Sequence, residues 1–316
     1  MNMQPPSKKR LLDYVGWLLV SVALAFLARK FWLYRGDLAE WRPDKLAVSF
    51  MIAGAAVYAG AFVLGALGWA RMVQYWDPTA DAWRIFRLYA RTQIAKYIPG
   101  NVFHVAGRWA GGRRMGLSHR AILGATLYEI GISLVVSLFF AAFWFAGKAV
   151  PGPACRAASV AGLLAGLVLF PFVAVKIAGR LVPLLHIDSW PIQTRLSSRR
   201  GLVPAYYAYA LLFAIIGAIF VAWARLLTGT TGLERSAFFF SAFAAAWLIG
   251  FVAPGASGGL GVREAVLVGL LGSSVGDAQA LAMAIGFRII TVAGDVLVFA
   301  LSFLAPGHDS ASGASP

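Results

Sequence analysis

The sequence predicts an all-α polytopic membrane protein, with six transmembrane helices and two re-entrant helical hairpins in an inverted repeat. Three observations predict it. Of 316 residues, 60% are hydrophobic and 13% charged, about half the charge of a soluble domain, and the mean hydropathy is +0.73. The apolar residues gather into runs close to the ~20 positions that a span needs. Two further runs are shorter and break at Pro-Gly.

Residues 1–12 carry Lys8, Lys9 and Arg10 and read as a cytoplasmic N-terminus. The apolar run 14–28 runs into Arg29 and Lys30 without a small-residue cleavage site, so it reads as a first span and not a signal peptide. The other spans are 46–70, 121–145, 157–175, 203–223 and 278–304. Between them, 84–98 stops at Pro99-Gly100-Asn101 before a short run at 102–110. Likewise 237–253 stops at Pro254-Gly255 and a Gly-rich turn before 262–271. Proline ends a helix and glycine allows the reversed backbone beyond it. Each stretch therefore reads as a re-entrant hairpin, 84–116 and 236–273, hinged at Pro99, Gly100, Pro254, Gly255, Gly258, Gly259 and Gly261. Such backbone is tolerated at membrane depth only where protein or a watery cavity covers it.

Basic residues set the orientation. They crowd 71–120 and 176–200, which places both segments and the N-terminus inside, whereas Asp37, Glu40 and Asp44 dilute the charge of 29–45 outside. Residues 13–150 then form one half and 151–305 a second, inserted in the opposite sense, with 306–316 a disordered cytoplasmic tail. The halves share a register. Pro99-Gly100 leads to Gly107-Arg108 as Pro254-Gly255 leads to Gly261-Val262-Arg263. Ser118 and Asp277 stand where helix N-caps belong, and Glu129 falls opposite Arg288. Inverted repeats with broken helices are a transporter architecture.

The formal net charge of +15 does not imply nucleic acid, because the Lys and Arg fall between apolar runs, where they meet anionic head groups. The single Cys155 excludes an intramolecular disulfide and a Cys-rich metal site. The glycine run 255–261 follows no strand and ends in no Gly-Lys-Ser/Thr, so it is not a nucleotide loop. No nucleophile elbow or metal-spaced cluster stands out, and neither an enzyme nor a cofactor is expected. Trp32, Trp41, Trp69, Trp76, Trp83 and Trp190 sit near span ends, as an interfacial belt would.

Charges within spans mark function by default. Glu129 lies about 12 Å into its span and Arg288 about 15 Å into its own, with Asp295 two turns further on. Glu129 and Arg288 read either as a pair locking the halves together or as a substrate or gating centre. The hairpin tips add Asn101, His104 and Arg108 after the first Pro-Gly, and Ser257, Arg263 and Glu264 after the second. Helix N-termini and arginines at such tips suit a phosphate. Small-residue patterns such as Gly54 with Gly60 are too common in membrane helices to assign a homodimer.

The segments Ile98-Pro99-Gly100-Asn101 and Pro254-Gly255-Ala256-Ser257-Gly258-Gly259-Leu260-Gly261-Val262-Arg263-Glu264 resemble the two signature regions of the lysylphosphatidylglycerol synthase transmembrane-region family. This is the flippase-like membrane domain of the multiple peptide resistance factor. The resemblance spans roughly residues 10–305 and implies lipid translocation in a bacterial cytoplasmic membrane. Only a short polar tail follows Leu304, where the full-length factor carries its synthase domain, so aminoacylation is not implied. The expected function is a flippase for a lipid with an anionic, phosphate-bearing head group, aminoacylated or polyprenyl-linked. The competing expectation is a non-transporting, lipid-binding partner of a glycosyltransferase or envelope-biosynthesis enzyme.

Overall fold

Helix starts are set by short polar side chains placed ahead of long apolar runs. The structure, a computed structural model, describes residues 43–98, 103–149, 152–184, 199–253 and 257–304, with a few positions between 25 and 36. In α1 (Lys45–Trp76) the Asp44 carboxylate accepts the Ala47 N–H at 2.7 Å. In α2 (Ala82–Gln93) Asp81 accepts that of Arg84 at 2.6 Å. α2 tightens into a 3-10 turn, Ile94–Tyr97, before α3 (Phe103–Arg114). Ser118 caps α4 (His119–Ala149) by accepting the Ala121 N–H at 3.1 Å, as its position predicts. Then follow α5 (Pro153–Leu184), α6 (Arg199–Thr228), α7 (Leu233–Val252), a second 3-10 turn at Ser257–Gly259, α8 (Val262–Val275) and α9 (Asp277–Leu304). Asp277 is the first helical residue, one position past the expected cap, and Gly276, with φ +86°, turns the chain into it.

Among the described residues six helices are long and apolar enough to cross a membrane, in α1, α4, α5, α6, α7 and α9. Five match expected spans. The sixth, α7, is longer than the arm expected at 237–253, since it starts at Leu233 and runs 20 residues, about 30 Å. Glu234 and Arg235 look like the end of an apolar run, yet Glu234 sits in the first helical turn, where an acid complements the helix dipole. By contrast α2 and α3, of 12 residues each, and α8, of 14, span about 18–21 Å and fall short of a bilayer core. Most of the expected span 14–28, the termini 1–12 and 306–316, and the hinges Pro99, Gly100, Pro254 and Gly255 lie outside the described residues.

α1 and α6 lie along one another; α4 packs on α7, α9 packs on α2, and the two 3-10 turns touch. In a bilayer there is no hydrophobic drive between helices, so close backbone approach and buried hydrogen bonds hold them. Glycines supply the approach. A Cβ on Gly68 would lie 2.8 Å from the Tyr209 ring, and one on Gly294 would lie 3.0 Å from the Ala55 carbonyl oxygen. Gly54 meets Ile290 and Ile219 within the chain, whereas Gly60 faces open space. α5 is the peripheral helix, tied to α6 by the Tyr206 hydroxyl on the Leu167 carbonyl (2.9 Å) and that of Tyr207 on Val168 (2.7 Å). Of the expected aromatic belt, Trp32 and Trp83 are exposed, but Trp69 is fully buried in the core. Its place near a span end hid the fact that α1 continues to Trp76.

Candidate functional site

The buried charges converge where the two 3-10 turns meet. A cavity of about 510 Å³ lies between α1, α2, α3, α4, α6 and α7, and its lining includes Lys96, His104, Arg108, Glu129 and Arg263. A smaller pocket of about 60 Å³ adjoins it, sharing Tyr58, Lys96 and Arg263 and adding Tyr97, Glu264 and Arg288.

Each carboxylate has a defined partner. Arg108, only 1% exposed, pairs with Glu129 from α4. Its other arm donates to Gln93 Oε1 at 2.8 Å, and its guanidinium lies 3.8 Å from the centre of the Tyr89 ring. The Tyr89 hydroxyl completes the first cluster by donating to Glu129 Oε1 at 2.8 Å. Asp295, on α9, accepts from Lys96 Nζ at 2.7 Å and from the hydroxyls of Tyr97 and Tyr58. It lies behind these groups and not on the cavity wall. Glu264 accepts the Gly261 N–H at 2.7 Å and holds a longer ion pair, 3.5 Å, with Arg288 Nε. Arg288 also donates to the Gly258 carbonyl at 3.4 Å.

Glu129 and Arg288, one of whose two readings was a locking pair, do not meet; each pairs with another residue, Arg108 with Glu129 and Glu264 with Arg288. The physical reason is reach: α3 packs on α4 and α8 on α9, which brings a charge on one helix to a charge on the next. Lys96, in the first 3-10 turn, instead ties to Asp295 on α9.

Arg263 differs from the other cations. Among the described residues no carboxylate lies within ion-pair distance, and its buried Nε has no hydrogen-bond partner. The side chain runs in a slot formed by Gly250 and Gly259, where a Cβ on either would overlap it, and its guanidinium sits 5.1 Å over Trp247. Gly258, Gly259 and Gly261 all have positive φ, between 56° and 79°, conformations an L side chain adopts only with strain. The turn they form lets the backbone pass close to Lys96: a Cβ on Gly258 would lie 3.4 Å from the Lys96 carbonyl oxygen.

Of the expected site residues, His104, Arg108, Glu129, Arg263, Glu264 and Arg288 line the joined cavities, and Asp295 stands behind Lys96. The buried His104 Nδ1 has no hydrogen-bond partner. Ser257 lies in the second 3-10 turn, with its side chain outside the described residues, as is Asn101. Sequence reasoning missed Lys96, Tyr97, Tyr58, Tyr89, Gln93 and Trp247. Lys96 had a signal, an ammonium inside a hairpin arm two residues before Ile98. The tyrosines had none, because an aromatic in an apolar run looks like core. Exposed Arg113 donates to the Leu117 carbonyl at 2.6 Å, which closes the turn after α3.

Four cations (Lys96, Arg108, Arg263, Arg288) and three carboxylates (Glu129, Glu264, Asp295) thus meet in one apolar helical bundle. Such a site suits one additional anion. Among the described residues no group of three His, Cys, Asp or Glu is placed to hold a metal ion. No family model, curated protein or solved structure matches the chain.

Proposed function

We propose that the protein is a lipid flippase that moves an anionic, phosphate-headed lipid between leaflets by alternating access at the junction of two re-entrant hairpins. One observation carries this reading. Arg263 is a cation without a carboxylate partner among the described residues, facing a cavity of about 510 Å³ inside a bundle of membrane-length helices. An unpaired guanidinium at that level is costly and marks a site that a ligand completes. A phosphate fits it, because it accepts two parallel N–H bonds and neutralises the excess charge.

The inverted repeat draws support from reciprocal packing. α1 with α6, α4 on α7 and α9 on α2 are the contacts that two halves related by a pseudo-two-fold axis would exchange. The ion pairs follow the same plan with the charges reversed: Arg108 and Glu129 in the first half, Glu264 and Arg288 in the second. Touching 3-10 turns are what two hairpins entering from opposite faces would produce. The basic segments 71–120 and 176–200 support the proposed orientation, and the signature-like residues 98–101 and 254–264 are the resemblance on which the proposed family and its bacterial cytoplasmic membrane rest.

The test is reconstitution in liposomes with fluorescent lipids of different head groups. Movement across the bilayer that depends on the head group and falls in Arg263→Gln supports a flippase. Selective binding without movement instead supports a lipid-binding partner of an envelope enzyme.

A further inference from the structure

A second cavity lies outside the polar centre. It is a lateral groove of about 430 Å³ between α4, α5, α6 and α7, apolar except at one end, where Arg225 and Ser236 lie. Arg225 stands in the last turn of α6, so this end belongs at head-group level. The volume falls within the roughly 300–1,000 Å³ range of small-ligand sites.

One layer of aromatic rings divides this groove from the polar cavity. Phe140 lines the groove and Phe213 the cavity; the two stack at 5.7 Å with planes 5° apart. Phe240 on the groove side meets Phe243 on the cavity side at 6.4 Å. Phe240 lies against Gly217, where any Cβ would overlap the ring. The helices beneath the rings are pinned: Ser241, on α7, donates to the Phe140 carbonyl at 3.0 Å and accepts the Trp144 N–H at 3.1 Å. Hydrogen bonds thus tie the backbones of this wall together, and its thickness is set by the phenylalanine side chains.

We infer that the lateral groove holds an acyl or prenyl chain of the same lipid whose head group enters the central cavity, with Phe140, Phe213, Phe240 and Phe243 as the partition through which that lipid is threaded. The inference rests on the flippase reading for the identity of the head-group site. It commits to a hydrocarbon chain because the groove is apolar along its length and flanked by helices of membrane-spanning length. A charged head group cannot cross this bundle alongside its own chains, so the chains must stay in hydrocarbon while the head group is in the polar cavity. A groove one ring away from that cavity provides this.

Photolabelling tests it, with the full chain in liposomes containing phosphatidylglycerol or a polyprenyl phosphate, each carrying a diazirine near the end of a chain. The expected result is labelling of α6 and α7 residues that line the groove, lost in Ala222→Trp, which fills it. The same labelling is also lost in Arg263→Gln, which leaves the groove intact and removes the head-group contact. Phe240→Leu serves as a milder variant, expected to retain labelling and to alter the rate of movement. Groove labelling unchanged in Arg263→Gln, or equal for phosphatidylcholine, overturns the inference, because the groove then binds bulk lipid. Head-group-selective movement without groove labelling also overturns it and leaves the flippase reading standing. Labelling lost in Arg263→Gln without any movement leaves one lipid bridging both compartments and removes only transport.

Discussion

Arg108 is buried and Arg263 half-buried, each nine residues after the proline of a Pro-Gly, and their surroundings make opposite demands. Arg108 is paired with Glu129 and hydrogen-bonded to Gln93. Removing it leaves the Glu129 carboxylate with the Tyr89 hydroxyl but without its counter-charge in a low-dielectric interior, which costs roughly 3–5 kcal/mol. Arg108→Met is therefore expected to lower the melting temperature in detergent sharply, and Arg108→Met with Glu129→Leu to recover most of the loss. A double variant no more stable than the single one would contradict the pair's structural role. Arg263 orphans no described carboxylate when it is lost, so Arg263→Gln should leave the melting temperature nearly unchanged. It should reduce lipid movement about tenfold to a hundredfold, the loss of a hydrogen bond to a charged group of roughly 1.5–3 kcal/mol. A large drop in stability with normal movement would reverse that assignment.

At the scale of elements, the glycine turn before α8 makes the sharpest prediction. Gly259 has φ +71°, and a Cβ there would overlap Arg263. Gly259→Ala should cost roughly 1–3 kcal/mol of backbone strain and displace the guanidinium. Gly269, in the middle of α8, is exposed, and a methyl added there would meet nothing within 4 Å, so Gly269→Ala should be neutral or stabilise by up to about 1 kcal/mol. Thermal unfolding and lipid movement measured on both variants check the contrast; equal effects would refute it. Elements were the most legible level of the sequence. Spans announce themselves by length and apolarity, and Ser118 announces the start of α4 by its side chain. Partnerships between helices were not legible, because which residue of one helix meets which of another depends on crossing geometry that no periodicity encodes. Glu129 was thus identified as a site residue, while its pairing with Arg108 was not foreseen. Trp69 and Tyr89, which enclose Arg108, passed for belt and core. Glu234 made α7 look shorter than it is.

At the scale of the whole molecule, one ion pair among the described residues joins the N-terminal helices to the C-terminal ones. Lys96 stands in the first 3-10 turn and Asp295 on α9, 2.7 Å apart, with Tyr58 and Tyr97 sharing the carboxylate. If alternating access moves one half against the other, this tie must break or be handed on during the cycle. Asp295→Asn alone should slow lipid movement, and Lys96→Asp combined with Asp295→Lys should restore part of it. No rescue by the exchange would mean that the two residues act separately.

The central claim is that the polar junction of the two halves carries a lipid head group through the bilayer. The most direct measurement is transbilayer movement of fluorescent lipids in liposomes, comparing phosphatidylglycerol, a polyprenyl phosphate and phosphatidylcholine, for the native chain and Arg263→Gln. The account predicts movement of at least one anionic lipid, slower or absent for phosphatidylcholine and reduced in the variant. Movement of all three at the rate of protein-free liposomes would contradict it.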